Sequence, residues 1–258
     1  MTGAPENRVP TVVIFTTSGV YSAEILRLVL SDPRLRVAAL YVLPGSGSRH
    51  RLRTLRRVWK RSGSRFVMSK AAVAGGARGP RPEDLAMGAG VPVRHVPDCN
   101  DVVAEVLDAG PDLLLSVNVY QRMHQPLLDA PRVAALNCHF GMLPQYRGMS
   151  PVIWALSRGE DQIGVTVHRM VLDFDEGALI RQEPVDVEPG ESVFHLTRRA
   201  CRVASTLLLQ ACLAVVADPA AGRRQEGEGS YFSLPTRDCI RQLYDREHRL
   251  WQWSDFRA

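Results

Sequence analysis

The chain opens with an unbroken apolar and β-branched run, "RVPTVVIFTTS" (8–18), and follows it with "SAEILRLVLSD" (22–32), where apolar residues recur every three or four positions. The first pattern predicts a strand buried on both faces and the second a helix with one apolar stripe. "RVAALYVLP" (36–44) predicts a second buried strand. The chain thus begins βαβ, and strands joined by a crossover helix run parallel. The alternation resumes beyond residue 84. "VPVRHV" (91–96) reads as a short strand, and "NDVVAEVLDAG" (100–110) as a helix capped by Asn100 and ended by Gly110. "PDLLLSVNVY" (111–120) and "PRVAALNCH" (131–139) read as strands, and "PVIWALSRGE" (151–160) as a helix with Pro in its first turn. "IGVTVHRMV" (163–171) and "ALIRQEPVDV" (178–187) predict two strands joined by "LDFDEG", and residues 191–218 a long closing helix. This is an α/β pattern with an open, mostly parallel sheet. It places a catalytic-size domain at 1–218, an insertion at about 45–84 and a short C-terminal extension at 219–258, with no internal repeat.

Composition narrows the class. At 45% hydrophobic and 23% charged residues the chain is ordinary globular material. No uninterrupted apolar run reaches the roughly 18 residues of a membrane span. The start, "MTGAPENRVP", lacks the apolar core of a signal peptide. The five cysteines, Cys99, Cys138, Cys201, Cys212 and Cys239, are odd in number and never spaced CxxC. That argues against a disulfide framework or a zinc site, and it sets the expectation of a cytoplasmic, metal-free protein.

Charge is unevenly spread. No Asp or Glu occurs between Pro33 and Pro82, and residues 49–70 hold nine Lys and Arg, leaving 23 basic against 27 acidic residues elsewhere. Leu52, Leu55 and Trp59 fall at helical spacing among Arg49, Arg53, Arg56, Arg57 and Lys60. The expectation is a basic amphipathic helix docked by those three apolar residues. Its charged side is either a solvated face or a surface for a polyanion such as a nucleotide diphosphate, a phosphopantetheine carrier or RNA. Aromatic residues are not interleaved as in single-strand binders, which makes nucleic acid the weaker choice. "GSGSRH" (45–50) lacks the third glycine of a dinucleotide fingerprint.

The candidate chemistry lies in "LNCHFGMLPQYRG" (136–148). On a strand, Asn137 and His139 share one face and Cys138 takes the other. Strand ends meeting loops are where α/β folds place their sites. Asp175, in the turn after "GVTVH", adds a carboxylate. A protonated His and an Asn amide can hold an oxyanion while a carboxylate helps move a proton. That set suits direct acyl transfer from an amide-like donor to an amine. It needs no nucleophilic Ser or Cys, and no GxSxG is present. Asp173 is the alternative acid, although Gly177 two residues on favours Asp175. Tyr146-Arg147-Gly148 is either a folded turn or an acceptor contact. His168 is read as a packed or acceptor-side residue, and His195, at a helix start, as structural.

These motifs resemble the 10-formyltetrahydrofolate-dependent formyltransferase family. The resemblance rests on Asn137-Cys138-His139, Leu143-Pro144-Gln145-Tyr146-Arg147-Gly148, Pro151 with Trp154, Gly164-Val165-Thr166 and Asp175-Glu176-Gly177. It spans about residues 111–185; the first 110 residues match only in their βαβ character. It implies a Rossmann-like sheet of the formyltransferase type, and Asn137, His139 and Asp175 as the catalytic residues. It also implies 10-formyltetrahydrofolate as cosubstrate, its pterin lying against Val117, Asn118, Tyr120 and Asp173, positions matched by place rather than identity.

Departures from the family bear on the acceptor. The tRNA-modifying members carry a C-terminal β-barrel for which the last 40 or so residues here leave no length, which disfavours aminoacyl-tRNA. The purine-pathway members lack the basic insertion. The expected acceptor is a small primary amine, phosphorylated or nucleotide-linked, in particular a nucleotide-linked amino sugar or a natural-product intermediate, with a carrier-bound amine as an alternative. Hydrolysis of the formyl donor is the competing reaction; relatives that do this carry an N-terminal regulatory domain, for which a βαβ start at residue 8 leaves no room. A non-catalytic module with a decayed site is disfavoured by the intact Asn137, His139 and Asp175. The aromatic tail (Tyr231, Phe232, Trp251, Trp253) is read as a clamp over the site, a dimer contact or core packing.

Overall fold

The computed structural model describes residues 8–45 and 51–257, with the backbone alone for residues 51–54. In chain order the elements are β1 (Thr11–Thr17), α1 (Val20–Ser31), β2 (Arg36–Leu43), α2 (Arg51–Gly76), α3 (Pro82–Gly88), β3 (Val93–His95), a 3-10 turn (Cys99–Val102) and α4 (Val103–Ala109). Then come β4 (Leu113–Val117), α5 (Gln125–Leu128), β5 (Ala134–His139), β6 (Arg147–Gly148), α6 (Pro151–Arg158), β7 (Gln162–Arg169) and β8 (Leu179–Asp186). The chain ends with α7 (Val193–Ala217), β9 (Tyr231–Phe232), α8 (Arg237–Asp245) and a 3-10 turn (Trp253–Phe256).

Seven strands form one sheet in the order β3-β2-β1-β4-β5-β7-β8. β1 to β5 run parallel, and β7 and β8 continue the sheet antiparallel. These are the seven strands expected from the sequence. β1 and β4 are buried at every position, as strands covered on both faces must be. Alternate residues divide between two cores: Val12, Ile14, Leu113 and Leu115 pack with α1 and α7, while Val13, Phe15 and Leu114 pack with Val102, Val106 and Leu127 on the other face. The strand order reverses at β1 and β4, so the crevice of the fold opens at their carboxyl ends.

Helix α7 is long and apolar enough to cross a membrane. Here Phe194, Leu196, Ala200, Cys201, Ala204, Leu207, Leu208, Ala211, Cys212 and Val215 are buried against the sheet and α1. Ser192 caps its start by accepting the His195 N–H at 3.0 Å.

Local expectations are corrected at three places. Asn100 is not the cap of α4. Asp98 accepts the Asn100 N–H at 3.0 Å ahead of the 3-10 turn, and the Asn100 side chain accepts the His124 N–H at 2.8 Å. The stretch assigned to a connection contains a further helix, α3, with Pro82 in its first turn. The basic helix α2 exists, but Leu55 and Trp59 do not dock it: both are about half exposed. Ser62, Phe66 and Ser69, at three- and four-residue spacing, are the buried face. The helix departs from helical geometry at Gly63. Arg49 lies outside the described residues, as do the side chains of Leu52 and Arg53. Pattern reading chose the larger apolar residues; burial follows the face that meets α8, where Ser62 Oγ donates to the Pro235 carbonyl at 2.6 Å.

The tail beyond α7 is folded onto this helix and onto α6 and α7. Phe256 packs on Phe194, Trp251 on Phe256, and Ser192 Oγ donates to Asp255 at 2.7 Å. If Phe66 anchors α2, Phe66→Ala lowers the unfolding free energy by about 3 kcal/mol or more, whereas Leu55→Ala changes it by less than about 0.5 kcal/mol. Urea denaturation of the two variants checks this, and equal effects would return docking to Leu55.

Candidate active site

Strand β5 ends with Asn137, Cys138 and His139. The alternation sends Cys138 into the core, where burial pushes its thiol up to about 12 and leaves it inert at neutral pH. Asn137 and His139 face the other way. The antiparallel register of β7 puts His168 opposite Asn137 and Thr166 opposite His139. Directly opposed residues share a face, so His168 joins the pair. The turn between β7 and β8 then brings in Asp175, in the left-handed region at φ 59°. Gly177 makes that turn possible: a Cβ there would come within 1.9 Å of the Arg169 carbonyl oxygen of β7.

The Asp175 carboxylate is the hub. Its Oδ1 lies 3.4 Å from His168 Nε2, 3.5 Å from Asn137 Nδ2 and 3.6 Å from His139 Nδ1. Its Oδ2 accepts the Gly148 N–H at 2.8 Å. The Arg169 carbonyl accepts from His168 Nδ1 at 2.7 Å; Nε2 lies 3.1 Å from the Asn137 amide nitrogen, accepting from it when unprotonated and facing Asp175 as a donor when protonated. The Tyr146 carbonyl accepts from His139 Nε2 at 2.8 Å. That bond fixes one proton on Nε2 and leaves Nδ1 facing Asp175, where a second proton would be shared between ring and carboxylate.

The side chains of His139, His168 and Asp175 are nearly out of water. Burial alone would raise Asp175, but the charge of His139, the hydrogen bond and charge of His168 and the Gly148 N–H outweigh it and hold the carboxyl at about 2. Burial acts on His139 in the opposite sense, pushing its imidazole below the usual value against the attraction of Asp175. The resting pair is a carboxylate beside a neutral imidazole, poised to take up one proton.

Of the residues expected around a pterin, Val117 has its side chain in the core. Its carbonyl accepts from Thr16 Oγ1 at 3.0 Å. Asn118 is left-handed at φ 55° and donates to Ser22 Oγ at 3.1 Å. Tyr120 is exposed. Asp173 does not enter the Asp175 cluster; it is exposed and pairs with Arg122 at 3.7 Å. Arg122 also donates to the Leu172 carbonyl and lies over the Phe174 ring, linking the loop after β4 to the Asp175 turn. Val171, Leu172 and Phe174 are exposed on the segment that leads into Asp175, and Tyr120 is exposed on the loop after β4. A separate cavity of about 490 Å³ opens where β1, β2 and β3 end, lined by Ser18, Pro44, His95, Val96 and Pro97. Among the described residues no group of His, Cys, Asp and Glu is arranged to hold a metal ion.

Residues 91–212 match the family model described as formyl transferase. Over that span, somewhat less than half of the chain, it is similar to the formyl transferases. Solved structures share the fold. Glycinamide ribonucleotide transformylase 1 of Symbiobacterium toebii is 20% identical, with a TM-score of 0.62 over 86% of this chain and 96% of its own. A sugar N-formyltransferase of a Shewanella species is 14% identical, with a TM-score of 0.58 over 88% and 78%. WlaRD, a sugar 3N-formyl transferase determined in the presence of dTDP and 5-N-formyl-THF, is 12% identical, with a TM-score of 0.59 over 92% and 80%. At these identities the likeness is one of fold.

The formyl transferase segment contains Asn137, His139, His168 and Asp175, and leaves α2 and the tail outside it. The structure brings Asn137, His139 and Asp175 into one cluster, and it adds His168, which sequence reasoning set aside. Its place follows from the antiparallel pairing of β5 with β7, which sets Asn137 opposite His168 and His139 opposite Thr166.

The depressed His139 has a definite linkage sign. The folded state resists protonating it, so stability falls as pH drops below its unfolded value near 6.5, by at most ~1.4 kcal/mol per pH unit for one proton. Asp175 adds stability that is present above 3.8 and lost as pH falls toward about 2. Urea denaturation at pH 7.5 and 5.5 should show wild type losing stability relative to His139→Gln. The reverse order would mean that the folded protein raises the His139 pKa.

Proposed function

We propose that the protein is an N-formyltransferase that moves a formyl group from 10-formyltetrahydrofolate to a primary amine on a small acceptor, in particular a nucleotide-linked amino sugar. The observation that carries this reading is the convergence of Asn137, His139 and Asp175 in a largely buried cluster at the end of β5. The match of residues 91–212 to the formyl transferase model supports the reaction class, and the sugar N-formyltransferases among the fold neighbours support the acceptor class.

The donor supplies an activated formyl carbon; the protein supplies positioning and proton movement. Attack by the amine nitrogen turns the formyl oxygen into an oxyanion. The Asn137 amide and the His139 ring donate to it in a water-poor site, where such donors are most effective. The attacking nitrogen loses a proton to the His139–Asp175 pair, and the leaving nitrogen of the donor gains one, so no net proton is consumed. Asn137 and His139 begin paired with His168 and Tyr146 and exchange those partners for the oxyanion. The cavity at the ends of β1, β2 and β3 lies two strands or more from β5, on the order of 10 Å away, which suits an elongated acceptor.

The deciding assay follows 10-formyltetrahydrofolate consumption with a panel of nucleotide-linked amino sugars, amino acids and carrier-bound amines, and reads formyl gain by mass spectrometry. Turnover that requires one amine is the expected result. Turnover without any amine would make the protein a hydrolase. His139→Ala should lower kcat by ~10²-fold or more with the fold intact; near-normal turnover in that variant would sink the mechanism. Replacing Arg56 and Arg57 with Gln should raise KM for a phosphorylated acceptor and flatten its salt dependence. An unchanged KM would make that side of α2 a solvated face.

A further inference from the structure

The Asp175 turn is held from outside the formyl transferase segment. Gln225, in the tail beyond α7, donates through one amide nitrogen to the Asp175 carbonyl at 2.7 Å and the Gly177 carbonyl at 2.8 Å. Its oxygen accepts from Arg147 at 2.9 Å. Arg147 also pairs with Glu176 at 2.8 Å, so backbone and side chain of the turn are gripped together.

The same tail shapes the other support of Asp175. β9 pairs with β6, where Ser230 accepts the Arg147 N–H at 3.0 Å and Phe232 accepts the Met149 N–H at 2.7 Å. Gly148, whose N–H holds Asp175 Oδ2, has φ 93°, and a Cβ there would meet the Phe232 carbonyl at 2.2 Å. The tail therefore fixes both the turn that carries the carboxylate and the peptide that grips it. Asp175 occupies a left-handed conformation that a non-glycine residue keeps only when its surroundings impose it.

We propose that Gln225 is a positioning residue for the reaction, holding the Asp175 carboxylate in register with His139 by hydrogen-bonding to the backbone of its turn. The proposal rests on the formyl-transfer reading. The groups facing that carboxylate are His139, His168, Asn137 and the Gly148 N–H, with Arg147 and Glu176 alongside. None of them replaces the two bonds from Gln225. A displacement of about 1 Å in a reacting group is enough for a ~10²-fold loss.

The test compares Gln225→Met, which keeps length and packing, with Gln225→Glu, which keeps shape and the acceptor for Arg147 but donates nothing. In both, kcat should fall ~10- to 100-fold, with acceptor KM and the thermal midpoint nearly unchanged. The acid limb of the kcat profile, set by protonation of His139, should move to lower pH, because a displaced carboxylate attracts the imidazole's proton less. A kcat within twofold of wild type, or a loss matched by unfolding with no shift of the acid limb, would overturn the proposal. A second readout does not depend on turnover: NMR titration of the Asp175 carboxyl carbon should give a higher midpoint in Gln225→Met than in wild type. An identical midpoint would overturn the positioning role even if the wild-type protein transfers no formyl group.

Discussion

A carboxylate taken out of water must find donors on every side, and Asp175 imposes that demand on the whole carboxyl edge of the sheet. Its two oxygens are met by four groups from three strands: Asn137 and His139 on β5, His168 on β7 and the Gly148 N–H on β6. None of these elements could shift by a residue without stranding the charge. A one-residue slip of β7 against β5 would turn His168 to the opposite face and bring an apolar Val167 or a charged Arg169 into its place. Breaking such a buried arrangement by removing one partner costs more than forming it gains. The demand therefore fixes register as well as chemistry.

The same constraint explains why the last forty residues are integrated into the fold. A turn carrying a left-handed Asp between two antiparallel strands has few neighbours of its own. Gln225 and β9 supply them, and the tail is in turn held by packing on α2, α6 and α7. Trp154 Nε1 donates to the Ser233 carbonyl at 2.9 Å, and Phe232 stacks between Tyr146 and Trp154. The aromatic residues in the tail thus divide in use. Phe232 braces the loop from Tyr146 to Gly148, whereas Tyr231 and Trp253 remain exposed.

The inner parallel strands were legible because burial on both faces leaves long apolar runs; β3 and β8, largely unburied, leave shorter and more polar segments. Asn137 and His139 were legible because strand alternation fixes their common face. His168 was missed because its role depends on which strand pairs with which, information that no single segment carries. The docking face of α2 was misread for a related reason: an amphipathic pattern names candidates, but Ser62, Phe66 and Ser69 are chosen by where α8 lies. Asn100 does not cap α4 because a 3-10 turn, itself capped by Asp98, stands before that helix and takes Asn100 into its interior. Gln225 had no sequence signal, since its partners are backbone carbonyls of a turn some fifty residues away.

The resting hydrogen bonds also bear on how a site of this kind discriminates. Asn137 and His139 are satisfied in the free protein, by His168 Nε2 and the Tyr146 carbonyl. A neutral carbonyl oxygen is a weaker acceptor than an oxyanion, because hydrogen bonds to ionised acceptors are about twice as strong. Exchange of partners is therefore close to neutral when a formyl oxygen first arrives and favourable once charge develops on it. Donors arranged in this way act more strongly on the transition state than on the bound donor, and that difference is what lowers a barrier. It also keeps the buried polar groups paired while the site is empty, so the fold does not have to tolerate orphaned donors in order to be ready for the reaction.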